Sequence, residues 1–325
     1  MTISKEPQSL YQETKVSEIP VVELKSSSSD DNVAHEVIEA MKVAGVCIVR
    51  NLLSQSTVDK IRQELLPHEQ ELTTFELFPT KCYQISGLLS KSPTYAQSIV
   101  GNEIFTAACN HFLTTTYECW LEKGNSISVQ LPPQLDMTMA LYIDPGSTNQ
   151  PLHRDDSLKQ NWNTAASEYT LGRDLGCGVM VALTEAAREH GTTRFIPGSH
   201  LWDYRYDYPG DDDPRIRYAE MHPGDAYFFL NSVAHGGSAN HTTDYRRVLA
   251  SVIATRSHLR QTENQFLTYD LETVRKFPTW LQRFMGYNVS GLVQGWVNKK
   301  DPLLLVNPDA KEDGEDEGEK VKKSM

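Results

Sequence analysis

Between Met137 and Thr255 the chain is a series of short β-rich runs divided by Pro, Gly and Asn turn residues. The runs are Met137 to Ile143, Leu152 to Asp155, Gly178 to Leu183, Thr193 to Ile196, Asp225 to Leu230 and Arg247 to Thr255. Strands this short, with turn signals between them, build a sandwich or jelly roll rather than alternating βαβ units. The N-terminal third reads as a helical cover. Asp31 to Ala44 places Val33, Val37, Ala40 and Met41 at helical spacing, with Asp30 or Asp31 as N-cap and Gly45 as the stop. Ile19 to Leu24 reads as a small entering strand and Val46 to Leu53 as a β run. Ser54 to Leu66 reads as a helix with Val58, Ile61 and Leu65 as its apolar stripe. Pro93 to Leu113 and Phe277 to Tyr287 are further helical stretches. The expected fold class is mainly β with helical cover, in one domain over residues 19–305. A flexible tail over 1–18 and a disordered, charged tail over 306–325 flank it.

Composition narrows the partners. At 39% hydrophobic and 23% charged residues the middle of the chain is globular. A net charge of -12 excludes a general polyanion binder, so nucleic acid is not an expected partner. Glu312 to Glu319 form a solvated acidic run rather than a functional patch. The five cysteines, Cys47, Cys82, Cys109, Cys119 and Cys177, are odd in number and form no CxxC pair, which fits reduced core thiols. Met1 to Thr14 is polar, no run has the apolar length of a membrane helix, and the final Ser324-Met325 does not complete a peroxisomal signal. The expectation is a cytoplasmic enzyme with no membrane partner.

The candidate chemistry sits at His153-Arg154-Asp155. On a strand, a histidine and an acid two apart project to the same side and can hold one metal together. His235 supplies a second imidazole. Two imidazoles and one carboxylate on one face leave positions open on non-haem Fe(II) for oxygen and a co-substrate. Asp156 alternates away from His153, so it supports the site from behind or faces solvent. His200 follows Pro197-Gly198-Ser199 and reads as a hydrogen-bonded structural group, while His190, His222 and His241 lie in polar loops and are assigned to solvent.

In order along the chain stand the turn Asp144-Pro145-Gly146 with His153-x-Asp155, the block Thr193 to His200 ending in Pro-Gly-Ser-His, Gly224-Asp225 before the strand to His235, and Arg246 eleven residues beyond. This ordered set, spanning roughly residues 33–260, resembles the phytanoyl-CoA dioxygenase family of Fe(II)/2-oxoglutarate oxygenases. The resemblance implies a double-stranded β-helix (jelly-roll, cupin-like) core, with His153, Asp155 and His235 as iron ligands and Fe(II), 2-oxoglutarate and O2 as cofactors. A 2-oxoglutarate that chelates iron leaves a distal carboxylate, and an arginine fork binds carboxylates bidentately. Arg246 fits the family pattern best. Arg247 is its rival, since neighbours on a strand point to opposite faces and only one can enter the barrel. Gln150 and Thr193 hold positions that in similar fungal enzymes contact the co-substrate; otherwise they are a turn amide and a strand hydroxyl with local bonds. Asp155 fills the place that related halogenases leave to a small residue, so hydroxylation, desaturation, rearrangement or endoperoxidation is expected rather than halogenation.

For substrate, the resemblance points to fungal enzymes that tailor terpenoids, meroterpenoids and alkaloids. The acidic stretch Tyr204 to Asp213 leans toward an uncharged, bulky small molecule rather than an acyl-CoA. Tyr142, Trp162 and Trp202 are candidate pocket aromatics. A redox-neutral isomerase or a silent partner subunit of the same fold is the competing enzyme-family reading, and a binding-only β-sandwich is a third. The resemblance also implies a homodimer, or a heterodimer with a homologue.

Overall fold

The helical spacing of Val33, Val37 and Met41 produces α1 over Asp30–Ala44 and buries all three. Gly45 stops it with φ +76°, its N–H closing on Met41 O at 2.7 Å. A Cβ at Gly45 would lie 2.4 Å from Val233 and 2.7 Å from His200 Nδ1, so both the turn and the packing require glycine. In α2, Gln55–Leu65, Ser54 caps the start by accepting from Thr57 N at 3.2 Å, and Val58, Ile61 and Leu65 face inward. The stretch from Pro93 is not one helix. Short turns run to Val100, and after Gly101 the Asn102 side chain accepts from Ile104 N and Phe105 N at 3.1 and 3.2 Å, starting α3 afresh at Glu103–Leu113.

The computed structural model describes residues 16–24, 30–74, 78–205 and 207–310. Most of both expected tails therefore lies outside the described residues. The strands are β1 Val21–Glu23, β2 Val46–Arg50, β3 Cys82–Ser86, β4 Thr115–Glu122, β5 Asn125–Leu131, β6 Pro133–Ile143, β7 Gly176–Ala182, β8 Thr193–Phe195, β9 Arg217–Tyr218, β10 Ala226–Leu230, β11 His235–Gly237 and β12 Arg247–Arg256. A large mixed sheet has the order β1-β2-β10-β7-β12-β6-β3, and a small one the order β11-β8-β9. A mainly β class with helical cover describes this architecture.

Leu152 to Asp155 is not a strand. His153 makes a lone bridge to His235, and a 3-10 turn begins at Asp155. Pro151 denies that edge an N–H, which limits how far a ladder can run. Phe277 to Tyr287 likewise contracts to a helix over Thr279–Phe284.

Register fixes which side chains face the interior. Tyr227 pairs with Met180 and Phe229 with Gly178, so these four positions share a face of the large sheet. That face meets the small sheet. The Tyr227 ring lies 5.1 Å from Phe195, the Phe229 ring 5.3 Å from His235, and the Thr193 hydroxyl 3.7 Å from the Met180 sulfur. β7 and β10 are buried along their whole length, as strands covered on both faces are. α1 packs on β2 and β10, and α3 on β7.

The chain divides into two compact units. The described residues up to 113 and residues 138–254 form the first, which carries the interior just described. Residues 114–137 and the described residues from 255 to 310 form the second, which contains the β4–β5 hairpin. Within it, Gln261 donates to Leu135 O at 2.6 Å and to Met285 O at 2.9 Å, and Asp136 accepts from Thr262 N at 2.7 Å. No helix among the described residues is long and apolar enough to cross a membrane.

Candidate metal centre

His153, Asp155 and His235 converge. One ligand atom from each lies within 4.8 Å of the others. Nε2 of His153 is 3.4 Å from one Asp155 oxygen and Nε2 of His235 is 3.7 Å from the other, with the two rings 4.6 Å apart. Three local structures bring this about. β11 presents His235, the bridge fixes His153 beside it through His153 N to His235 O at 2.9 Å and His235 N to His153 O at 3.0 Å, and the 3-10 turn swings Asp155 underneath.

The hydrogen bonding of the two rings decides their chemistry. Each Nδ1 sits 3.0 Å from a backbone carbonyl two residues earlier, Pro151 O for His153 and Val233 O for His235. A carbonyl only accepts, so each Nδ1 carries the hydrogen and each Nε2 of the neutral ring presents a lone pair toward Asp155. Two lone pairs and a carboxylate facing one point are acceptors without a donor, and a divalent cation resolves that arrangement. Charge within the trio follows suit. Burial disfavours the charged form of Asp155, but attraction to the imidazoles of His235 and His153 when they are protonated outweighs it and holds its carboxyl below the ordinary value. Burial likewise opposes the His153 imidazolium, yet Asp155 keeps its pKa above the usual one, while burial holds His235 below it. The His153 side chain is 32% and Asp155 23% exposed, so the trio is reachable from outside, with His235 forming its buried wall.

The two arginines part company. Arg246 stands outside, bonded to Asp144 through Nε and through Nη2 at 2.9 Å, with Glu69 at 3.8 Å and its side chain 40% exposed. Arg247 is 2% exposed, and its Nε and Nη1 have no partner among the described residues. Burial pushes its pKa down to about 10. Residues 247 and 253 share one face of β12 by period two, and Ile253 borders Gly178 and Phe229 in the interior. Arg247 therefore lies on the interior face of β12, which begins at Arg247 as the sequence pattern placed it, while Arg246 lies outside. Thr193 faces the same interior. Gln150 Oε1 accepts from Gly237 N at 3.2 Å, a bond that crosses to β11 rather than one local to its own turn. Tyr227, which the sequence reading absorbed into a core strand, carries a buried hydroxyl without a partner among the described residues. Its pKa is pushed up by burial and by the nearby Asp155.

The aromatic candidates are placed elsewhere. Tyr142 is buried with the Arg246 guanidinium 5.8 Å from its ring, on the side opposite Arg247. Trp202 is core, clustered with Leu152, Ile196 and Ile216 and overlaid by Arg215 at 4.9 Å. Trp162, 66% exposed, lines a cavity of about 330 Å³ with Arg154, Tyr204 and Tyr208, a set that includes none of the three ligand candidates. His190 is not a solvent group. It stacks on Tyr245 at 4.1 Å and accepts from Ala187 N at 3.2 Å. His200 is structural, its Nε2 donating to Lys42 O at 3.0 Å, and burial lowers its pKa to about 4. Asp156 is fully buried, accepts from Tyr204 at 2.9 Å, and is pushed up to about 7 by burial and by Asp174. Within the acidic stretch, Asp211 pairs with Arg194 and Asp213 with Arg215, each at 2.7 Å.

The family model described as phytanoyl-CoA dioxygenase (PhyH) matches residues 41–248. The dioxygenase cnsJ of Penicillium expansum is 70% identical over 98% of this chain and 96% of its own length. The dioxygenase peniF of Penicillium patulum is 36% identical over 82% of this chain and 86% of its own. Among solved structures, the non-haem α-ketoglutarate-dependent carbocyclase SnoK from nogalamycin biosynthesis shares the fold, with a TM-score of 0.52 at 15% identity over 73% of this chain and 90% of that one.

Proposed function

The chain belongs to the phytanoyl-CoA dioxygenase family, and from that premise we propose that it is an Fe(II)/2-oxoglutarate-dependent dioxygenase of secondary metabolism acting on a bulky terpenoid, meroterpenoid or alkaloid. One observation carries the reading: three acceptor groups converge, with both imidazole Nδ1 hydrogens already committed to backbone carbonyls. The facing sheets around that point support a double-stranded β-helix as the catalytic core, carried by the first of the two compact units.

His153 and His235 through Nε2, and Asp155 through its carboxylate, would hold the iron. With 2-oxoglutarate and oxygen the metal supplies the oxidising power needed for an unactivated C–H bond. The protein's own contribution is positioning. Arg247 offers two unpartnered N–H groups to the distal carboxylate of 2-oxoglutarate, in a setting where burial makes that pairing strong. Thr193 and Tyr227 line the same interior and can hydrogen-bond the co-substrate, while Phe195 and Phe229 keep it dry. The exposed edge of His153 and Asp155 gives the substrate access. Asp155 fills the place a halide would need, which favours hydroxylation, desaturation, rearrangement or endoperoxidation.

Acyl-CoA hydroxylation stands as the second reading, because pairing of Asp211 and Asp213 with arginines weakens the charge argument against a CoA-linked substrate. Mass spectrometry of products from a panel of terpenoids, alkaloids and acyl-CoAs, with Fe(II), 2-oxoglutarate and oxygen, decides between them. Oxidised terpenoid or alkaloid supports the proposal, and oxidised acyl-CoA alone overturns its substrate class. We further propose a cytoplasmic homodimer. In the second unit Trp120 and Val293 are exposed apolar side chains, at 69 and 67%, that a protein partner can cover.

A further inference from the structure

The segment that carries His153 lacks a strand's regular ladder, and beside the His153–His235 bridge its register against β11 is held by a further backbone bond and by side chains. Gln150 N donates to Gly237 O at 2.9 Å, Gly237 N to Gln150 Oε1 at 3.2 Å, and Ala239 N to Asn149 Oδ1 at 2.8 Å. Beyond β11 lies β8, where Arg194 pairs opposite Gly236. Thr193 and Phe195 face the interior, so Arg194 projects to the outer face of the small sheet. From there its Nη2 reaches across β11 to Gln150 O at 2.8 Å and to Asp211 Oδ1 at 2.7 Å, leaving the arginine 1% exposed. The second Asp211 oxygen accepts from Asn149 Nδ2 at 2.7 Å. Glycine at 236 is part of this device, since a Cβ there would lie 2.8 Å from Gln150 O and 3.1 Å from Pro151 O.

We propose that Arg194, held by Asp211, is a positioning residue of the metal centre: it clips the segment bearing His153 to the strands bearing His235 and so sets the spacing of the two imidazoles. This rests on the metal-centre reading above. A guanidinium suits the task because one nitrogen satisfies a carbonyl and a carboxylate together. Without it, Gln150 O and the Asn149–Asp211 pair lose their anchor, and the segment moves relative to β11.

The test is Co(II) binding to the full chain, followed by the visible absorption of the bound ion, alongside thermal melting of the metal-free protein. Arg194→Met is expected to weaken Co(II) binding by about 10- to 100-fold, the range for groups that orient metal ligands, with Arg194→Lys restoring part of it. A residue needed only for folding would lower the melting temperature yet leave Co(II) affinity unchanged in the folded protein at low temperature. Should Arg194→Met fail to fold, Asp211→Ala carries the test, since Asp211 is 58% exposed and its loss frees the arginine without opening the core. A several-fold loss of Co(II) affinity in folded Asp211→Ala supports the clip, and wild-type affinity in either folded variant overturns it. Failure of the wild type itself to bind Co(II) overturns the metal-centre reading, and the clip falls with it.

Discussion

Replacing Arg247 and Arg246 separately with methionine gives opposite outcomes that follow from their surroundings. Arg247 is buried with Nε and Nη1 unpartnered, so a bound dicarboxylate gains two charge-assisted hydrogen bonds. At roughly 1.5–3 kcal/mol each, losing both costs about 3–6 kcal/mol, a weakening of 2-oxoglutarate on the order of 10²- to 10⁴-fold. Arg246 is 40% exposed and already engaged with Asp144. Breaking that surface pair costs about 1 kcal/mol or less and leaves 2-oxoglutarate binding within about fivefold of wild type. Anaerobic calorimetric titration of 2-oxoglutarate into the Fe(II)-loaded proteins measures both. A further consequence separates ligand binding from folding. An unpaired buried charge is a burden on the ligand-free protein, so Arg247→Met should melt no lower than wild type without 2-oxoglutarate. Loss of 2-oxoglutarate binding in Arg246→Met, with Arg247→Met binding normally, would refute the reasoning.

Other perturbations probe the frame around the centre. Gly45→Ala places a Cβ 2.4 Å from Val233 at a φ of +76°, and urea unfolding should show a loss of roughly 2–4 kcal/mol; an unchanged midpoint would contradict the packing. His200 has its pKa lowered by burial to about 4 against 6.5 for an unburied imidazole, so its contribution is complete above pH 6.5 and is lost as pH falls toward 4. At about 1.4 kcal/mol per unit of pH, wild type should lose about 2–3 kcal/mol more than His200→Gln between pH 7 and 4.5, and parallel pH profiles would count against it. Trp120→Ser with Val293→Ser should shift the assembly toward monomer in sedimentation, and an unaltered dimer would exclude that surface.

Much of the site was legible in the sequence because few residue types make an iron face, and His153, Asp155 and His235 are brought together as their chemistry requires. The route was not legible. A strand's period of two suggested that His153 and Asp155 come together, but a lone bridge and a 3-10 turn do the aligning. Strand alternation also established that one of Arg246 and Arg247 enters the interior. Which one depends on which face of β12 packs inward, and that is set by its neighbours in the sheet rather than by a local pattern, since β12 is buried on both faces. Polarity misplaced His190, whose stacking partner Tyr245 is distant in sequence, and aromatic character misplaced Trp202, which fills core. The helical cover was readable from periodicity and caps, whereas the β4–β5 hairpin has too much exposed surface to alternate clearly.

The central claim is that oxidation here is coupled to 2-oxoglutarate through His153, Asp155 and His235. Its most direct measurement is succinate released per oxidised product in one reaction, for wild type and for Asp155→Ala. Wild type is expected to release one succinate per product, dependent on Fe(II) and oxygen, and folded Asp155→Ala to yield neither compound. Product formed without succinate, or succinate formation surviving in Asp155→Ala, would contradict that claim.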